Sequence, residues 1–168
     1  GTSDDIIGLT PRARFIVEGV VLIGIIFASG GCIDSLHGLW GINSYSWYVA
    51  IPLTIFSGVG IINAVNMVDG VNGLSSGLCI TYSLLFGFVF IILGDIANAM
   101  LAFAIGTALF PFFIHNVFGN TSRMFIGDGG TMIMGILMTW FVICIMRNDS
   151  AFCAYAHNLS APAMVLSI

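Results

Sequence analysis

The sequence predicts an all-α, polytopic membrane protein, and three observations carry the prediction. Hydrophobic residues make up 58% of the chain and charged residues 7%, whereas roughly 25% of residues are charged in a soluble domain. The apolar residues fall in stretches close to the 20 or so needed to cross the hydrocarbon. Lipid offers the backbone no hydrogen-bond partner, so each such stretch must satisfy itself as a helix. Residues 1–168 read as a single transmembrane domain.

Five stretches qualify as spans: Phe15–Cys32, Trp47–Val65, Leu74–Leu93, Ile96–Val117 and Thr131–Met146, and a sixth begins near Ala161. Gly30-Gly31 punctuates the end of the first. Between the first and second lies a longer polar connection with Asp34, His37 and Asn43, flanked by Trp40, Tyr45, Trp47 and Tyr48, which suit an interfacial belt. Gly94-Asp95 is so short a junction that the third and fourth spans must form a tight antiparallel hairpin. Arg147-Asn148-Asp149 closes the fifth. Gly19, Gly24, Gly58, Gly60, Ala102, Ala104, Gly106 and Ala108 are read as packing positions, since small residues let helices approach closely in lipid.

There is no lysine, and the four arginines are Arg12, Arg14, Arg123 and Arg147. A nucleic-acid footprint needs a basic stripe, so that class is excluded. Cys32, Cys79, Cys144 and Cys153 show no metal-ligand spacing and are read as small buried hydrophobes. The chain opens on Gly1 in a charged loop and ends inside the apolar run Ala161 to Ile168, which reads as the central part of a longer protein.

Acidic clusters sit at the ends of the apolar stretches: Asp4-Asp5, then Asn63 to Leu74 with Asp69, then Phe125 to Thr131 with Asp128. Consecutive clusters are separated by two spans, and an even number of crossings returns the chain to one face. Arg12, Arg14 and Arg123 lie on that face and Arg147 on the other, which puts the clusters in the cytoplasm by the positive-inside rule. Single acids at span ends drift toward water and carry little meaning, which is the reading adopted for Asp34, Asp95 and Asp149. Glu18 is one turn inside the interface and is expected to pair with Arg14 at i, i+4.

The clustered face is different. Asp4 and Asp5 repel one another and need a cation or a proton to offset their charge. Asn63, Asn66 and Asp69 follow at three-residue steps along a helix end, and Asp128 lies between glycines at the start of the next span. Carboxylates, amides and glycine turns on one surface are what magnesium-assisted diphosphate chemistry needs, because Mg²⁺ takes hard oxygen ligands and keeps waters and substrate phosphates in its shell. Ion translocation or plain solvated loops stay open on these residues alone.

The segments Asn63-Ala-Val-Asn66-Met-Val-Asp69-Gly70-Val-Asn72-Gly73-Leu74 and Met124-Phe125-Ile-Gly127-Asp128-Gly-Gly-Thr131 strongly resemble signatures of the polyprenyl-phosphate N-acetylhexosamine-1-phosphate transferases, glycosyltransferase family 4. Asp4-Asp5-Ile-Ile-Gly-Leu9-Thr10-Pro11-Arg12 looks like that family's Asp-Asp loop. The resemblance runs through the whole chain in order. It implies transfer of a sugar-1-phosphate from a UDP-N-acetylhexosamine to undecaprenyl phosphate, releasing UMP, in the bacterial inner membrane, with Mg²⁺ (or Mn²⁺) as cofactor and a homodimer as one assembly. It assigns Asp4 and Asp5 as catalytic, Asp128 and Asp69 as metal ligands, and Asn66, Asn72, Asn116 and Phe125 as substrate-binding residues, Phe125 by stacking on uracil. Met67-Val68 looks more like the N-acetylglucosamine branch, serving lipopolysaccharide or teichoic-acid synthesis, than the muramoyl-pentapeptide branch. Asn72 stands where many relatives have a second Asp, and the family's earlier spans and later His-rich loop are not in these residues, so the fragment alone is expected to be inactive. A transporter would place its acids near mid-span, and a non-catalytic scaffold has no need of Asp4, Asp5, Asp69 and Asp128 together.

Overall fold

A computed structural model describes residues 11–34, 44, 46–69, 73–119 and 126–147, with the side chains of Pro11 and Arg12 excepted. Asp4, Asp5, Asn72, Phe125 and the stretch from Ala161 lie outside the described residues. Among the described residues five helices follow one another: α1 Pro11–Ser29, α2 Trp47–Val68, α3 Leu74–Ile92, α4 Ile96–Phe118 and α5 Gly127–Arg147. No strand occurs among the described residues. Helices α2 to α5 are long and apolar enough to cross a membrane. Helix α1 has 19 residues and carries Arg12, Arg14 and Glu18.

Several helices overrun the expected spans. Helix α1 starts at Pro11 rather than Phe15, α2 runs on to Val68, and α5 starts at Gly127 rather than Thr131. Hydropathy marks where the chain enters hydrocarbon, while a helix continues past that boundary as long as its backbone bonds can close. The overrun matters for function. It puts Arg14, Asn66 and Asp128 on rigid helix ends rather than on loops.

Helix α5 is the central wall, with Phe141, Ile143 and Ile145 almost fully buried. Phe90 of α3 meets Phe141 edge-on at 5.4 Å, and Phe86 lies 5.7 Å from the same ring. Helices α2 and α4 are outer, and Phe56, Met67, Met100 and Phe118 are exposed, as expected of surfaces facing lipid. Trp47 and Tyr48, their tilted rings 4.0 Å apart and also exposed, open α2 at the end expected for an interfacial belt.

The expected hairpin is present. Gly94 turns at φ +76, a conformation costly for any residue with a Cβ, and Asp95 caps α4 by accepting from the Asn98 backbone N–H at 3.1 Å. Asp95 is thus a helix cap, not merely a solvated acid. Asn98 in turn accepts from the Trp140 indole at 2.9 Å, and Arg147 donates to the Ser29 carbonyl, so α1, α4 and α5 are tied at this end.

Helices α2 and α5 run antiparallel in a fixed register. Gly58 faces Thr139, Ile62 faces Gly135, and Asn66 donates to the Thr131 hydroxyl at 2.8 Å. Each step of four residues along α2 thus meets the residue four back on α5, so one ridge of each helix is in contact. Gly58 and Gly106 lie at helix contacts as expected, whereas a Cβ on Gly19, Gly24 or Gly60 would meet no described residue within 4 Å. Gly135, which no sequence pattern singled out, makes the closest approach of any described glycine to the backbone of another helix. A methyl on it would stand 2.6 Å from the Ile62 Cα, which cannot swing aside as a side chain can. Gly135→Ala is therefore expected to cost about 1–3 kcal/mol of stability. A thermal melt of the detergent-solubilised protein checks this, and an unchanged midpoint would show that the helices separate freely.

Candidate active site

Helices α1, α2 and α5 bring their polar ends together. Asn66, in the last turn of α2, donates through Nδ2 to Asp128 Oδ1 at 3.1 Å as well as to Thr131. Asp128 is the second residue of α5, and its side chain is 46% exposed. Its other oxygen, Oδ2, stands 3.6 Å from Arg14 Nη1, an ion pair too long for a hydrogen bond. The meeting of Asn66 and Asp128 across 62 residues agrees with the even-crossing argument.

Asp69 is built differently. It is the residue after α2 and is 9% exposed. Oδ1 accepts from the Ser75 hydroxyl at 2.5 Å and from the Ile126 N–H at 3.4 Å, and Oδ2 accepts from the Gly127 N–H at 3.0 Å. Gly127 needs its φ of +76 to turn the chain into α5, and its N–H is thereby aimed at Asp69. The resemblance assigned Asp69 to metal, but this carboxylate already holds three protein donors. It joins the end of α2 to the start of α3 and to the entry of α5.

The Glu18 to Arg14 pair stands as expected, with Arg14 Nε 3.3 Å from Glu18 Oε1. Two partnerships were not expected. Arg14 also faces Asp128, and Asn63 Nδ2 donates to Glu18 Oε2 at 2.8 Å. The available signal for the second was Glu18 itself, an acid placed inside an apolar span, which by default has a polar partner. Asn116 is buried in the last turn of α4, where its neighbour Val117 packs on Gly73 beside the Asp69 turn. Cys32, Cys79 and Cys144 are free.

A divalent cation fits one part of this constellation. No group of three His, Cys, Asp or Glu residues occurs among the described residues. Mg²⁺, however, is commonly held by one or two carboxylates, with waters and substrate phosphates completing its shell. Asp128 meets that need, since it is half-exposed and Oδ2 accepts no hydrogen bond from any described residue.

Fold and site together define a multi-pass membrane protein whose carboxylates, amides and arginine converge at one end of the helix bundle. The chain belongs to glycosyl transferase family 4, whose sequence profile matches residues 1–146. It is 30% identical over 148 residues to a phospho-N-acetylmuramoyl-pentapeptide-transferase of Staphylococcus carnosus, covering 84% of this chain and 44% of that protein. It is 28% identical over 151 residues to an undecaprenyl-phosphate alpha-N-acetylglucosaminyl 1-phosphate transferase of Escherichia coli O157:H7, covering 85% and 40%. The Yersinia pestis protein of that name is 27% identical over 158 residues, covering 89% and 42%. The chain thus spans less than half the length of these relatives. No solved structure matches it.

Proposed function

We propose that the chain is the central part of an enzyme that transfers N-acetylhexosamine-1-phosphate, specifically N-acetylglucosamine-1-phosphate, from a UDP-sugar to undecaprenyl phosphate. We place it in the bacterial inner membrane with α1 as a fifth span and the site facing the cytoplasm. The observation that carries the reading is Asp128: a half-exposed carboxylate at a helix end, hydrogen-bonded on one oxygen by Asn66 and facing Arg14 at 3.6 Å on the other. The location has a physical logic. One substrate is a soluble nucleotide and the other a phosphate on an isoprenoid, and they meet where lipid meets water.

In the proposed reaction an oxygen of the lipid phosphate attacks the β-phosphorus of the UDP-sugar. The bond from that phosphorus to the bridging oxygen breaks, and the pair of electrons leaves with UMP. Asp128 would hold Mg²⁺, which, when bound, offsets charge on the phosphoryl group and on the leaving oxygen. Asn66 fixes the Asp128 rotamer, and Thr131 fixes Asn66. Asp69 orients the turn that delivers Asp128 and acts through position. Asp4 and Asp5, six or seven positions before Pro11, are assigned to the lipid phosphate, and Asn72, Asn116 and Phe125 to the nucleotide.

The test is product analysis of the full-length protein with UDP-N-acetylglucosamine and undecaprenyl phosphate. UMP is the expected nucleotide product. UDP would mean attack at the sugar carbon and would overturn the reaction class. Turnover only with the muramoyl-pentapeptide donor, as the name of the Staphylococcus carnosus relative describes, would move the sugar and keep the chemistry.

A further inference from the structure

We propose that Glu18, locked by Asn63, is a positioning residue that holds the Arg14 guanidinium back from Asp128 and so keeps one oxygen of that carboxylate open to a divalent cation. The inference rests on the reading of Asp128 as a cation ligand given above.

Glu18 sits in the second turn of α1, is 1% exposed, and lies among helices that cross lipid. A buried carboxylate is tolerated there only when it is paired and hydrogen-bonded. Both its oxygens are used: Oε1 faces Arg14 Nε at 3.3 Å and Oε2 accepts from Asn63 Nδ2 at 2.8 Å. Asn63 Nδ2 also donates to the Val59 carbonyl at 2.8 Å, so the amide is fixed through both of its hydrogens and holds Glu18 in one rotamer.

Arg14 therefore lies between two carboxylates and is bonded to the inner one. Its Nη1 reaches only to 3.6 Å from Asp128 Oδ2, and its Nη2 is buried with no hydrogen-bond partner among the described residues. A guanidinium with unmet donors takes the nearest free carboxylate in a two-pronged pair, the geometry that arginine favours. If Glu18 loses its charge, that carboxylate is Asp128. The oxygen closed would be Oδ2, the one Asn66 leaves open. A cation and an arginine then compete for one oxygen, and Glu18 decides the competition from one turn further into the bilayer.

The experiment measures Mn²⁺ binding to the purified full-length protein by loss of the free-ion EPR signal, without substrate or turnover. Wild type is expected to bind one Mn²⁺ that Asp128→Asn abolishes. Glu18→Gln is expected to weaken that binding about tenfold, the worth of one hydrogen bond to a charged group. Adding Arg14→Gln to Glu18→Gln is expected to restore it, because the competing guanidinium is gone. Asn63→Ala keeps both charges and removes only the lock, and it is expected to weaken binding about threefold, a smaller loss of the same kind. It keeps the question decidable if Glu18→Gln does not fold.

Unchanged Mn²⁺ affinity in Glu18→Gln, or in Asn63→Ala where only that variant folds, would sink the proposal and leave the cation site standing. Weakened affinity that Arg14→Gln fails to restore would also sink it, since Glu18 would then act through packing. Equal binding by wild type and Asp128→Asn would remove the cation reading itself and this proposal with it.

Discussion

Asp128→Asn in the full-length protein is expected to lower turnover about a thousandfold while the protein still inserts and folds. The substitution preserves shape, and the side chain is half-exposed, so little buried structure depends on its charge. Asn can still accept from Asn66 through its amide oxygen. What it loses is the negative oxygen facing Arg14, the one proposed to meet Mg²⁺. An interaction that stabilises charge in the transition state costs far more when removed than one that merely holds the fold. The check combines turnover with size-exclusion behaviour. Near-normal turnover in a well-folded variant would move the metal to another residue.

Asp69→Asn is the second large effect, and it should arise differently. The carboxylate holds the Ser75 hydroxyl and two backbone N–H groups, and an amide can present only one oxygen to them. Its NH₂ would face one of those donors, leaving a buried group unmet at about 1–3 kcal/mol. The entry of α5 should loosen, and Asp128 with it. Turnover is expected to fall about a hundredfold, since small misplacements of a positioning element cost on that scale. Hydrogen exchange at the amides of Ile126 and Gly127 is expected to speed up, a readout that a pure metal ligand would not move. Lost turnover with unchanged exchange there would return Asp69 to the metal.

Much of this arrangement was legible in the sequence, for reasons that can be named. Apolar length marked all five helices, four of which are long and apolar enough to cross a membrane, and Gly94-Asp95 is too short to be anything but a hairpin. Parity alone brought Asp69 and Asp128 to one end, and the Asn63 to Leu74 segment carried the family. The pairing of Arg14 with Asp128 was not legible, because it depends on how α1 and α5 pack rather than on any spacing along the chain. The role of Asp69 was hidden for another reason: two of its three donors are backbone N–H groups, which every residue but proline possesses. Glycines were ambiguous as well. Gly60 and Gly58 are two residues apart on α2, yet among the described residues only Gly58 meets another helix, and composition does not say which way each faces.

The glycine at position 135 has a reach beyond its own neighbourhood. It lies seven residues, about 10 Å along the axis, from Asp128, and the same α2 ridge that rests on it ends at Asn66. Any wedge between Ile62 and residue 135 tilts the pair of helices and carries the amide away from the carboxylate it steadies. Selection for activity is then felt in the middle of the hydrocarbon, far from any phosphate. A blind screen for inactive but well-expressed mutants would return this buried, chemically silent position alongside the acids at the surface.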